Sequence, residues 1–236
     1  MWVSNQKWDA NWEQEYAKWV RNNVTTSIFT NGRTILSGLS TDCADALYAI
    51  RILFSYENSL PFAMSAPDVL KDKMKIFDSN TNMFDSVKDE KKRVREFIKF
   101  VMSEAGTRNL QRDTFPVRIS NINSGTLYLV QWQFLGMGKY NQHSYIIKGF
   151  DSDRELVYYY SDAPSKVRNL EVNVKYPRFS FGYAPYGYRA WKHPEHLLIP
   201  ENEIPAELGY SKEQYDLVRK VGSKNILAEI RRRLRN

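Results

Sequence analysis

The 236-residue chain contains one cysteine, so no disulfide can form within it. It has only three histidines and no Cys/His spacing of the zinc-binding kind, so no metal or cofactor is expected. No apolar run approaches the ~20 residues that cross a bilayer. Met1-Trp2-Val3-Ser4 lacks a basic leader and an apolar stretch, so an extracytoplasmic location, periplasmic or secreted, follows only if a leader has been removed. There is no internal repeat and no low-complexity tract.

Hydrophobic residues make up 42% of the chain, enough for a sizeable core. Aromatics make up 14%, so many of the 15 Tyr and 6 Trp are expected to keep a polar tip wet. The net charge of +7 suits an anionic surface, but much of it is local. Lys88, Lys91, Lys92, Arg93 and Arg95 share one expected helix, and Arg231, Arg232, Arg233 and Arg235 crowd the last turns. Such runs read first as solvated helix faces. No nucleic-acid motif accompanies them, so a specific nucleic-acid partner is not expected. The length fits one domain, residues 1–236, with appendages.

Residues 9–22 read as a helix capped by Asp9, with Trp12, Tyr16, Trp19 and Val20 on one face. A second helix follows Ser40 or Thr41 as cap, with Asp42 in its first turn and Ala46, Leu47, Ile50, Leu53 and Phe54 facing a core. Pro67 at a first-turn position predicts a short helix over 67–77, and Ser86 caps a longer one over 86–104. The period then changes. Strands are expected at 116–121, 126–134, 142–150, 155–161 and 170–174, with a turn at Asp151-Ser152-Asp153-Arg154. Helices close the chain at 211–221 and 223–235, where Ser211 and Gln214 resemble a capping box. Helices followed by an antiparallel sheet imply an α+β fold.

Cys43 falls in the first turn of the second helix. The dipole and free N–H groups there favour a thiolate, and the Cys43 N–H can receive an oxyanion. Asn31, Thr41 and Gln142 are candidates for a second donor. A small thiol in line with Ala46, Leu47 and Ile50 is equally a packing residue. A nucleophilic thiol also needs a base. His143 opens a strand ahead of Tyr145-Ile146-Ile147, whereas His193 and His196 flank Pro194 at a spacing that hints at metal without a carboxylate-rich set around it. A hairpin centred on Ser152-Asp153 pairs positions summing to 305, which sets Asp162 opposite His143, on one face of the sheet. A carboxylate there can orient the imidazole. A slip of two residues brings Tyr160 or Pro164 there instead, and Asp151 and Ser161 are weaker choices.

Cys43-Ala44-Asp45, Ser59-Leu60-Pro61, His143-Ser144-Tyr145-Ile146-Ile147 and Ser161-Asp162-Ala163-Pro164 resemble the transglutaminase-like branch of the papain-like superfamily. Asp42-Cys43-Ala44-Asp45 is also similar to the Asp-Cys-Ser-Gly opening of NlpC-type bacterial cell-wall peptidases, although Ala44-Asp45 replaces Ser-Gly. The likeness covers about 43–62 and 125–165. It implies a papain-like core with a helical insertion at 67–115, a helical extension at 211–236, and Cys43–His143–Asp162 chemistry on an amide through a thioester. Peptide, protein or peptidoglycan substrates follow from it. Transfer of the acyl group to an amine is the alternative outcome. A catalytically idle scaffold, binding through its Trp-rich first helix or basic last helix, is the alternative of another class. The aromatics from Phe179 to Trp191 read either as a groove that stacks on sugars or as a cover for the core.

Overall fold

The structure is a computed structural model that describes residues 1–68, 73–133 and 140–235. It is an α+β fold. Helix α1 (Ala10–Asn23) is capped by the Asp9 carboxylate, which accepts from the Trp12 N–H. Helix α2 (Cys43–Glu57) is buried nearly all round from Ala44 to Ser55, as expected of a helix enclosed on every side. Its cap is Asp42, one or two residues later than the expected Ser40 or Thr41. Asp42 accepts from the N–H groups of Ala44 and Asp45, while Asp45 accepts from the Asp42 N–H. This reciprocal box satisfies more orphan donors than a lone hydroxyl could.

The expected helix over 67–77 is not formed. Ala63–Asp68 (β1) and Lys73–Asp78 (β2) pair antiparallel instead, and residues 69–72 lie outside those described. Lys73-Met74-Lys75-Ile76 alternates with period two, a strand pattern that the proline signal at Pro67 masked. Segment 67–115 is therefore a hairpin followed by two helices, α3 (Glu90–Glu104) and α4 (Thr107–Asp113), rather than purely helical. Asp89, not Ser86, caps α3.

The main sheet contains β3 (Thr114–Pro116), β4 (Leu127–Gln133), β5 (Tyr140–Phe150), β6 (Leu156–Tyr160), β7 (Glu171–Val174) and β8 (Gly187–Trp191). Its order is β3-β8-β4-β5-β6-β7, antiparallel throughout. The expected strand 116–121 is mostly the single turn Ile119–Asn121, with β3 ending at Pro116 on the sheet edge, where a missing N–H is harmless. Residue 134 of the expected strand 126–134 lies outside the described residues.

The pleat of the central strands sorts their side chains. Residues opposed across a pair share a face, and alternate residues along a strand switch faces. Tyr128 and Val130 pair with Tyr145 and His143, so these four share one face, with Trp132 and Tyr158. Their rings pack with Tyr188 and Phe181 into a tyrosine-rich layer. Leu127, Leu129, Ser144 and Ile146 take the other face, which the N-terminal helices cover; there Lys148 Nζ donates to the Val20 carbonyl at the end of α1, at 3.0 Å.

Helices α5 (Glu213–Val221) and α6 (Ile226–Arg235) close the chain. The Ser211/Gln214 capping box does not form. Gln214 is fully buried and turns inward, where its Nε2 donates to the Tyr188 and Val117 carbonyls and its Oε1 accepts from the Tyr188 N–H. Of the two readings of the aromatics from Phe179 to Trp191, a groove or a cover for the core, most of them fit the second. Phe181, Tyr186, Tyr188 and Trp191 are buried, while Tyr183 is exposed. The C-terminal arginines are largely paired within the chain: Arg231 and Arg235 with Glu155, Arg232 with Glu229, and Arg233 with both Glu229 and Glu213. Among the described residues no helix is long and apolar enough to cross a membrane.

Candidate active site

Cys43 is the first residue of α2 and is partly buried. The Asp42 carboxylate occupies the next two N–H groups, and Ala46 N–H bonds the Asp42 carbonyl. The Cys43 N–H has no partner among the described residues. A free helix-start donor next to a thiol is the arrangement an oxyanion needs.

The sulfur faces three polar groups. Thr107 Oγ1, at the start of α4, is 3.9 Å from Sγ. Ser144, at the centre of β5, lies close enough for its hydroxyl and N–H to favour a negative sulfur, although its buried Oγ makes no hydrogen bond among the described residues. Burial outweighs them. It pushes the Cys43 thiol above its ordinary pKa, and the Asp42 carboxylate adds to the rise. The expected thiolate is therefore not the resting form: the dipole of a helix start acts here beneath a desolvated sulfur and an acidic cap.

His143 precedes Ser144 and leaves β5 on the opposite face. Its ring meets Tyr145 at 4.7 Å, Tyr160 at 5.1 Å and Trp132 at 6.5 Å, each edge to face. Burial lowers its pKa, while the carboxylates of Asp162 and Asp42 pull it up and Arg178 pushes it down. No hydrogen bond joins His143 to Cys43 or to Asp162 among the described residues. The Asp42 and Asp162 carboxylates thus act on His143 by charge, while Ser144 rather than His143 is the β5 residue near the sulfur.

Asp162 reaches this place by a route the turn alone did not give. Near the turn the ladder pairs Phe150 with Leu156 and Gly149 with Val157, and a bulge between Ile147 and Gly149 then shifts it to Ile147 with Tyr158 and Ile146 with Tyr159. The inner pairs follow the expected register because the bulge offsets the turn. Strand β6 ends at Tyr160, after which Ala163 pairs with Thr41. That bridge ties the Asp162 segment to the entrance of α2. Asp162 itself is exposed and acts on His143 through its charge.

Two of the candidates for a second oxyanion donor, Thr41 and Gln142, are engaged elsewhere, and the third, Asn31, uses its acceptor oxygen locally. Thr41 Oγ1 donates to Ser161 Oγ at 2.8 Å, and Gln142 Nε2 donates to Gln131 Oε1 and Tyr186 Oη. Asn31 Oδ1 accepts from the Arg33 N–H in a local turn. Thr107 and Ser144 are the polar groups that sequence reasoning missed. Strand parity marks Ser144 as the helix-facing neighbour of His143; nothing in the sequence marks Thr107.

No family model, curated protein or solved structure matches the chain. The functional reading therefore rests on this geometry and on the motif resemblance.

A second polar cluster lies further along α2. Arg51 is buried in the helix and donates to both Glu13 oxygens, at 3.1 and 2.5 Å. Its guanidinium lies 3.4 Å from the Trp8 ring centroid and 4.5 Å from that of Tyr16. His193 Nε2 is 3.2 Å from Glu13 Oε1, and the Glu13 carboxyl titrates below its ordinary value: burial raises it, but Arg51 and His193 together outweigh that. At about 12 Å along the helix from Cys43, this cluster is separate from the thiol.

Proposed function

We propose that the protein is a thiol-dependent amide hydrolase of papain-like type, with Cys43 as nucleophile, His143 as proton acceptor and Asp162 as the carboxylate that favours the charged imidazole. The observation that carries this is Cys43 at the start of a buried, boxed helix, with its own N–H unpaired among the described residues and its sulfur beside Thr107 and near Ser144 of the strand that bears His143. Further support comes from the order α2–β4–β5–β6. Ser59, at the resemblance's Gly-Ile-Pro-like turn, also has a left-handed φ of 54°, a conformation glycine adopts most easily.

The thiol and imidazole start neutral. As substrate binds, His143 takes the Sγ proton and the sulfur attacks the carbonyl carbon. The oxyanion lies against the Cys43 N–H, and His143 then protonates the departing amine. Water resolves the thioester to a carboxylic acid and free thiol. An amine in place of water gives the crosslinking outcome.

The test is mass-spectrometric analysis of a peptide pool from digested casein and of peptidoglycan stem peptides, incubated with the parent and with Cys43→Ala. Cleavage by the parent alone supports hydrolysis. A catalytically idle scaffold is the second reading, favoured by the raised thiol and by the lack of a Cys43–His143 hydrogen bond. It predicts identical, uncleaved pools for both proteins.

A further inference from the structure

We infer that His193, Glu195 and His196 form a binding site for one divalent metal ion of the zinc class. The three stand on the turn that follows β8, with His193 at its cap and Pro194–His196 as its 3-10 turn. One ligand atom from each lies within 4.8 Å of the others.

Metal-binding histidines commonly donate their second ring N–H to a carboxylate, which fixes the tautomer and orients the ring. His193 has this partner. Its Nε2 meets Glu13, and Arg51 holds Glu13 from the other side. A proton on Nε2 leaves the Nδ1 lone pair for an ion. The ring also stacks with Trp8 at 6.0 Å and with His196 at 5.7 Å. His196 supplies an independent sign, because its Nδ1 is buried and has no hydrogen-bond partner. A buried polar atom without a partner is costly, and a metal ion would satisfy it.

Two imidazoles and one carboxylate suit borderline ions such as Zn²⁺, Ni²⁺ or Co²⁺ rather than Ca²⁺ or Mg²⁺, which prefer oxygen donors. A tetrahedral zinc ion with bonds of about 2.0–2.1 Å sets its donors roughly 3.3 Å apart, so the site has to contract by about 1.5 Å at most. Glu195 is exposed and free to swing inward. The fourth position falls to water.

The test is calorimetric titration of ZnCl2 into the full chain after chelator treatment and dialysis, with MgCl2 as control. One equivalent of Zn²⁺ should bind, and Mg²⁺ should not. His196→Ala and Glu195→Gln should each weaken Zn²⁺ binding at least about ten-fold, the scale on which even outer-shell changes act. Cys43→Ala should leave it unchanged, which separates this site from the thiol. Zinc should also raise the melting temperature of the parent but not of His196→Ala. No binding by the parent, or binding that survives both substitutions, would overturn the inference.

Discussion

Asp42 combines a structural and an electrostatic role, and two substitutions separate them. Asp42→Ala removes the acceptor for the Ala44 and Asp45 N–H groups, which bond it at 2.8 and 2.9 Å. Losing such a cap costs about 1 kcal/mol, within a range of ~0.5–2. Losing the negative charge at a helix start adds about 0.3–1 kcal/mol. The expected total is about 1–2 kcal/mol, or roughly 2–8 °C in melting temperature at this chain length. Asp42→Asn keeps the acceptor and removes only the charge. It also relieves Asp45, whose carboxyl is raised to about 7 by burial and secondarily by Asp42. The two effects oppose, so Asp42→Asn should be nearly neutral in urea unfolding at pH 8. Its thiol should respond nevertheless: without the neighbouring carboxylate, alkylation of Cys43 by iodoacetamide should begin at lower pH than in the parent. Equal destabilisation by both variants, or an alkylation profile unmoved in Asp42→Asn, would refute this account of the helix start.

Other residues give sharper stability tests. Asp113 accepts from Tyr48 Oη at 2.8 Å and from Ser65, and burial raises its carboxyl to about 6. Its contribution is complete below its unfolded pKa near 4 and declines as pH rises through 6, by about 3 kcal/mol for two pKa units. Urea midpoints of the parent should fall over this window more steeply than those of Asp113→Asn. Arg51→Met leaves Glu13 without its bidentate partner and should cost about 3 kcal/mol in chemical denaturation. Gly187 has φ +108°, and a Cβ there would strike Gln214 Oε1 and crowd the Phe181 ring. Gly187→Ala should therefore lower stability by more than about 1 kcal/mol in the same assay.

The legible parts of the fold were those with strong local periodicity. Asp9 and its apolar stripe gave α1, and the run from Ala46 to Phe54 gave α2. The Val-, Ile- and Tyr-rich segments gave β4 to β7. Strand β8 lay hidden because Gly187-Tyr188-Arg189-Ala190-Trp191 is buried on both faces and shows no alternation. Arg189 gives no sign in the sequence of its fully buried place, where Thr114 Oγ1, the Thr114 carbonyl and Glu201 accept from it. The hairpin β1–β2 is masked in the sequence because the helix-start signal of Pro67 is stronger than a short two-residue period. At the candidate site, motif and register suggest Cys43, His143 and Asp162, but the observed ladder ends at Ile146 and Tyr159, short of His143, and a list of residue types carries no face. The pleat sets Ser144 against the sulfur, and burial combined with Asp42 reverses the expected thiol charge. Neither is visible until the helix lies on the sheet.

The central claim is that His143 serves the Cys43 thiol, and the pH dependence of Cys43 alkylation tests it most directly. Iodoacetamide labelling would be followed by mass spectrometry in the parent and in His143→Ala. Neutral imidazole should assist removal of the thiol proton, so the parent should show a labelling step at the pKa of His143, below its ordinary value because the ring is buried. In His143→Ala that step should vanish, leaving one rise above the ordinary thiol range, as expected for a buried sulfur beside Asp42. Identical profiles for the two proteins would contradict the claim and leave Cys43 as a packing residue in an idle scaffold.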